Sequence, residues 1–139
     1  LANGGSVKVI AGSYKEEGNE VQGPIQGITT SPLCLDFHLP PNTEFEHHIP
    51  KELNAFVYVY EGDLEVGGPM RPAPKQAAIV LGDGDSLKAK SGESGAQFIV
   101  LAALPLHEPI VQYGPFVMNT RAEIEQAISD YQNNRFVTL

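Results

Sequence analysis

Ala55-Phe56-Val57-Tyr58-Val59-Tyr60 is β-branched and aromatic almost throughout. Such a run favours an extended, pleated backbone, and its lack of polar residues predicts a strand buried on both faces. Glu61-Gly62-Asp63 follows and predicts a turn, after which Leu64-Glu65-Val66 returns as the hairpin partner.

The same period-two pattern extends in both directions. Upstream, Val7-Lys8-Val9-Ile10 reads as a short strand ended by Ala11-Gly12. Leu33, Leu35 and Phe37 alternate with Cys34, Asp36 and His38, which predicts a half-buried strand. Downstream, Gly67-Gly68-Pro69-Met70-Arg71-Pro72-Ala73-Pro74 carries three prolines and predicts a loop. Strands are expected again over residues 77–81, 86–90 and 97–103. Gly82-Asp83-Gly84-Asp85 and Ser91-Gly92-Glu93-Ser94-Gly95 are the turns between them. Many short strands with regular Gly and Pro punctuation make this an all-β chain, a sandwich or small barrel.

The C-terminal end differs. Tyr113-Gly114-Pro115-Phe116-Val117-Met118-Asn119 reads as a rigid linker presenting large apolar side chains. Thr120-Arg121-Ala122-Glu123 is a capping box, in which the hydroxyl and the carboxylate each accept from a free backbone N–H at the helix start. Ile124, Ala127, Ile128 and Tyr131 then form one stripe of an amphipathic helix, which Asn133-Asn134 ends. The expected organisation is one domain over 1–139: a barrel over about 5–112, a linker over 113–119 and a helix over about 120–132.

Composition narrows the function. The 139 residues carry a net charge of −8 with no basic cluster, which disfavours direct contact with nucleic acid or an anionic membrane. Nothing approaches the roughly 20 apolar residues that cross a bilayer. Cys34 is the only cysteine, so no internal disulfide can form, and the cytoplasm, or the nucleus in a eukaryote, is the expected compartment.

These strings together resemble the C-terminal cupin domain of the pirin family. The resemblance runs through Val7–Gly12, Leu35-Asp36-Phe37, Phe56–Gly62, Val80–Ser86 and Pro105-Leu106-His107-Glu108-Pro109. It is most specific at Gly114-Pro115-Phe116-Val117-Met118-Asn119-Thr120. It implies a cupin barrel, a double-stranded β-helix or jelly roll, closed by one C-terminal amphipathic helix. It also implies a bicupin parent whose other, N-terminal half holds iron on three His and one Glu. Whole family members are associated with quercetin dioxygenase activity or with transcription-cofactor roles.

The cupin ligand motifs can be laid on this chain. With the closing glycine of the first motif on Gly62, its glutamate position falls on Ala55. Its histidines fall near His48 or Ile49 and near Pro50 or Lys51. With the second motif opening on Gly84, its histidine falls on Gly95 and its asparagine on Ile99. A non-haem iron site needs about three converging side chains. At most His48 remains as a candidate ligand, so neither a metal nor a catalytic site is expected here.

His47-His48 are adjacent, so on a strand they point to opposite faces. Cys34, Asp36 and His38 share one strand face without an obvious second strand to close a site. His107-Glu108 could exchange protons but has no nucleophile beside it. No phosphate loop, dinucleotide fingerprint or Gly-x-Ser-x-Gly is present. The reading is a non-catalytic C-terminal cupin domain that braces or shapes an iron-bearing N-terminal cupin domain, with Tyr113, Pro115, Phe116 and Met118 as interdomain contacts. One alternative makes it part of a quercetin dioxygenase whose metal lies in the other half. Another makes it a module that binds a regulatory protein.

Overall fold

The computed structural model describes residues 1–16 and 18–137. These form two compact units, residues 1–105 and 106–137.

Among the described residues the first unit contains nine strands: β1 (Ser6–Ala11), β2 (Ser13–Glu16), β3 (Asn19–Gln22), β4 (Leu33–Leu39), β5 (Glu44–His48), β6 (Asn54–Val66), β7 (Arg71–Ala73), β8 (Ala78–Val80) and β9 (Ser86–Ala103). Two long strands organise it. The last part of β9 lies between β4 and the first part of β6, while its first part lies between β5 and the end of β6. β1 pairs with β4, β8 with the start of β6, and β7 with its end. β6 and β9 thus pass from one sheet to the other at a shared corner, and the core lies between the sheets.

Alternation puts Leu35, Phe37, Val57, Val59, Phe98 and Val100 inward from the first sheet. It puts Phe45, Leu64, Val66, Leu87 and Ala89 inward from the second. The β2–β3 hairpin adds the ring of Tyr14 to this core.

Several sequence expectations are corrected. Residues 61–63 do not reverse the chain, because β6 runs straight through them with register shifts on either side of Glu61-Gly62. Residues 91–95 likewise lie within β9. A bulge and a turn both call on glycine at positive φ, and pairing of both long strands across the corner selects the bulge. Ser91 points inward, yet it is satisfied: its hydroxyl donates to the Pro40 carbonyl and accepts from the Thr43 N–H.

The proline-rich 67–74 segment is not all loop. Arg71-Pro72-Ala73 pairs with Leu64–Val66 as an edge strand, where proline's missing N–H costs no ladder bond. The run 55–60 is covered on one face only: Val57 and Val59 are fully buried, while Phe56 and Tyr58 are 39% and 36% exposed.

The second unit holds β10 (Val111–Tyr113), β11 (Phe116–Met118) and helix α1 (Arg121–Gln132). The expected linker is therefore a hairpin, turned at Gly114-Pro115, with Tyr113 opposite Phe116 and Val111 opposite Met118. The capping box forms as read: the Glu123 N–H donates to Thr120 Oγ1, and the Thr120 N–H donates to Glu123 Oε2 at 2.8 Å. Ile124 and Ala127 are buried, and Asn133 caps the C-terminal end. Among the described residues no helix is long and apolar enough to cross a membrane.

Candidate functional site

The interior between the two sheets is where this architecture can hold chemistry, and β5 decides what enters it. Its alternation turns Phe45 and His47 inward and leaves Glu44, Glu46 and His48 in solvent. The imidazole inside is therefore His47, not the His48 singled out from the motif spacing. Motif counting can miss by one residue, and one residue reverses a strand side chain's direction.

His47 is 8% exposed and stacks on Tyr14, with ring centroids 4.9 Å apart and planes 24° apart. Phe37 and Phe45 lie 6.1 and 6.2 Å away. Phe98 completes the group by stacking on Phe37 at 5.3 Å. Burial pushes the His47 pKa down to about 4; neighbouring His48 adds to the lowering and Glu16 opposes it. At neutral pH the ring is uncharged. Burial, reinforced by Glu16, raises Tyr14 to about 12, so its phenol is also neutral. A cleft of 440 Å³ opens beside His47, lined also by Ser13, Lys15, Leu33, His48 and Glu52.

An iron site of the cupin type does not fit this interior. One imidazole stands among four aromatic rings, and no group of three His, Cys, Asp or Glu side chains among the described residues could hold a metal. Ala55 and Gly95 occupy motif positions that need a glutamate and a histidine.

His47 links this packing to pH. Unfolded, its pKa is near the ordinary 6.5; folded, it is about 4. Above pH 6.5 both states leave it neutral. As pH falls below that, the unfolded chain takes up a proton that the folded chain refuses, and stability declines until about pH 4. Between pH 7 and 5 this amounts to about 2 kcal/mol. Denaturant titrations across that range should show the loss in the native protein and its removal in His47→Phe. An equal pH slope in both would refute the assignment.

A second polar group lies on the outer face of β4. The Tyr60 hydroxyl donates to Asp36 Oδ1 at 2.7 Å and sits 2.8 Å from His38 Nε2. His38 Nε2 lies 3.5 Å from the same carboxylate oxygen. Burial, with the bond to Asp36, raises Tyr60 to about 12. Cys34 shares this face, as its spacing predicts; partial burial and then the Asp36 charge raise its thiol pKa. Tyr60, which closes this cluster from β6 across the intervening β9, was missed from sequence because it was counted as core.

In the second unit, Phe116 packs edge-on against Phe136 at 5.4 Å, Met118 is half-buried, and Tyr113 and Pro115 are exposed. Glu108 accepts from Asn119 Nδ2 at 2.9 Å, which ties the hairpin base to the helix start. The His107-Glu108 pair thus has a structural bond at its carboxylate.

Two sheets joined by two corner-crossing strands around a packed interior have the arrangement of a cupin barrel. The model of the pirin C-terminal cupin domain matches residues 34–137, and the chain belongs to the pirin family. It is 41% identical over 136 residues to "Pirin-like protein 2" of Arabidopsis thaliana, covering 93% of this chain and 41% of that one. It is 41% identical over 108 residues to human "Pirin", covering 75% and 37%. Among solved structures, a quercetin 2,3-dioxygenase from Acinetobacter baumannii matches with a TM-score of 0.81 at 31% identity, over 97% of this chain and 45% of that one. The chain spans about half the length of the curated relatives it matches and corresponds to their C-terminal half.

Proposed function

We propose that this chain is the non-catalytic half of a pirin-type bicupin, and that it braces and shapes a metal-bearing N-terminal cupin domain. The filled interior carries this reading. Tyr14, Phe37, Phe45 and Phe98 pack together between the sheets and leave one neutral imidazole, His47, beside them. Rings packed in this way stabilise a fold, and among the described residues the cleft that opens beside them meets His47 without the further ligands that a metal needs.

For the whole protein, the similarity to an Acinetobacter baumannii protein titled quercetin 2,3-dioxygenase supports an oxidative activity with its metal, iron on the family resemblance, in the other half. The single cysteine and the acidic surface suit a reducing compartment and a protein partner rather than nucleic acid.

The decisive experiment refolds this chain with ferrous iron, measures bound metal, and assays quercetin turnover. The separate chain should retain no stoichiometric iron and turn over no quercetin. Tight one-to-one iron binding, or turnover by this chain alone, would sink the proposal.

A further inference from the structure

The composition of β6 is that of a strand covered on both faces, yet one face is open. Phe56 lies opposite Leu101 of β9 on one side and Val80 of β8 on the other, and Leu101 is in turn opposite Cys34 of β4. Two residues along the same face, Tyr58 lies between Ile99 and Ala78, with Asp36 beyond Ile99. Opposed residues on paired strands share a face. The outer surface of this sheet therefore carries two adjoining rows across β4, β9, β6 and β8; Asp36 is their one charged residue, and beyond it the second row ends on Lys8 of β1. Val80 is 84% exposed, and Phe56 and Tyr58 more than a third. The second row runs into the hydrogen-bonded Asp36–Tyr60–His38 group.

An aromatic centre bordered by a satisfied polar group is the anatomy of an interface. A contiguous apolar sheet face of this kind is unfavourable in water and marks a contact site.

We infer that this outer face, centred on Phe56, Tyr58 and Val80, seats the other cupin half found in the longer relatives. The inference rests on the bracing role proposed above and names its surface. The length of the relatives supports this occupant: the chain accounts for 41% of the Arabidopsis thaliana relative and 45% of the Acinetobacter baumannii structure. More than half of each protein is thus tethered to the equivalent domain, and tethering gives that body a high effective concentration. A second copy of this chain is a poorer occupant, since each copy brings a net charge of −8. Cys34 lies in the first row, between Leu101 of β9 and Ala11 of β1, so the only thiol of this chain reports on the surface.

The test uses the separate chain and a chimera in which this chain replaces the matching C-terminal part of the Arabidopsis thaliana relative. Each is made with the native face, with Phe56→Ser/Tyr58→Ser, and with Val80→Asp. Alkylation of the Cys34 peptide is followed by mass spectrometry, unfolding by calorimetry, and association by ultracentrifugation. Cys34 should react at least about tenfold more slowly in the native-face chimera than in the separate chain, because local opening would have to expose it. That chimera should unfold in one transition. Both variants should restore reactivity and split the unfolding into two steps. The separate chain should stay monomeric, and Val80→Asp should leave its unfolding temperature unchanged within about 2 °C, since the side chain is exposed.

A chimera that unfolds in one transition while Cys34 remains reactive would show that the halves meet elsewhere, which overturns this surface but not the bracing role. Two independent transitions with the native face would overturn both. A dimer of the separate chain that Val80→Asp dissociates would assign the face to a second copy and overturn the proposal.

Discussion

Gly62→Ala should lower the unfolding free energy by about 3 kcal/mol or more, read from the midpoint of a denaturant titration. Gly62 has φ +69°, a backbone conformation that an L side chain adopts at a cost. A Cβ there would also run into the backbone carbonyl oxygen of Gly95, which belongs to the partner strand and cannot swing aside. Gly95 is constrained in the same way, at φ +79° with the Leu39 carbonyl oxygen 2.6 Å from where its Cβ would stand. The two glycines face each other where β6 and β9 bend from one sheet to the other. Gly82→Ala is the control: an added Cβ meets nothing within 4 Å, so that variant should be neutral or slightly stabilising. A Gly62→Ala protein within 1 kcal/mol of the native one would show that the corner tolerates a side chain and that the bend has another cause.

The corner also shows what local sequence conveys. Gly62 and Gly95 were legible as positions needing unusual backbone angles, and both were read as turns. Whether such a position reverses a strand or bends it depends on what pairs across it, and here Gly62 pairs with Ala96. That is information about a strand more than thirty residues away. Pro72 failed similarly, because proline excludes a central strand and not an edge.

Patterns that require only the chain's own period were read correctly. The alternation of Leu33, Leu35 and Phe37, and the capped helix from Arg121, need no knowledge of partners. The candidate site was half legible. Adjacency showed that only one of His47 and His48 could face inward, but register, which a single sequence does not contain, chose His47. The most useful misreading concerns Phe56 and Tyr58. Their apolar character predicts burial that this chain alone does not provide, and the mismatch locates the proposed interdomain face.

The interior makes the second large prediction. Phe37 is fully buried, and its ring meets Phe45 at 4.6 Å, Phe98 at 5.3 Å and Tyr14 at 5.8 Å, with His47 at 6.1 Å. Phe37→Ala removes the ring around which the others are arranged. Loss of a buried phenylalanine costs about 3–5 kcal/mol through lost transfer energy and the cavity left behind. The upper part of that range is expected here, because the surrounding rings are held by strands of both sheets and cannot collapse inward. A further consequence separates this cavity from general loosening. The vacated ring position lies 6.1 Å from that of His47, which itself lines the cleft, so water should enter by way of His47. Hydration of the ring relieves the burial that holds its pKa near 4, and the value should move back toward 6.5. Phe37→Ala should therefore be less stable at pH 7 and yet lose less stability between pH 7 and 5 than the native protein. Denaturant titrations at both pH values, together with an NMR titration of the His47 ring, measure the two effects. A destabilisation below about 2 kcal/mol would mean that the interior closes over the missing ring. An unchanged His47 pKa would mean that the cavity stays dry. The first result would remove Phe37 from the centre of the packing that fills this cupin, and the second would overturn the predicted hydration of His47.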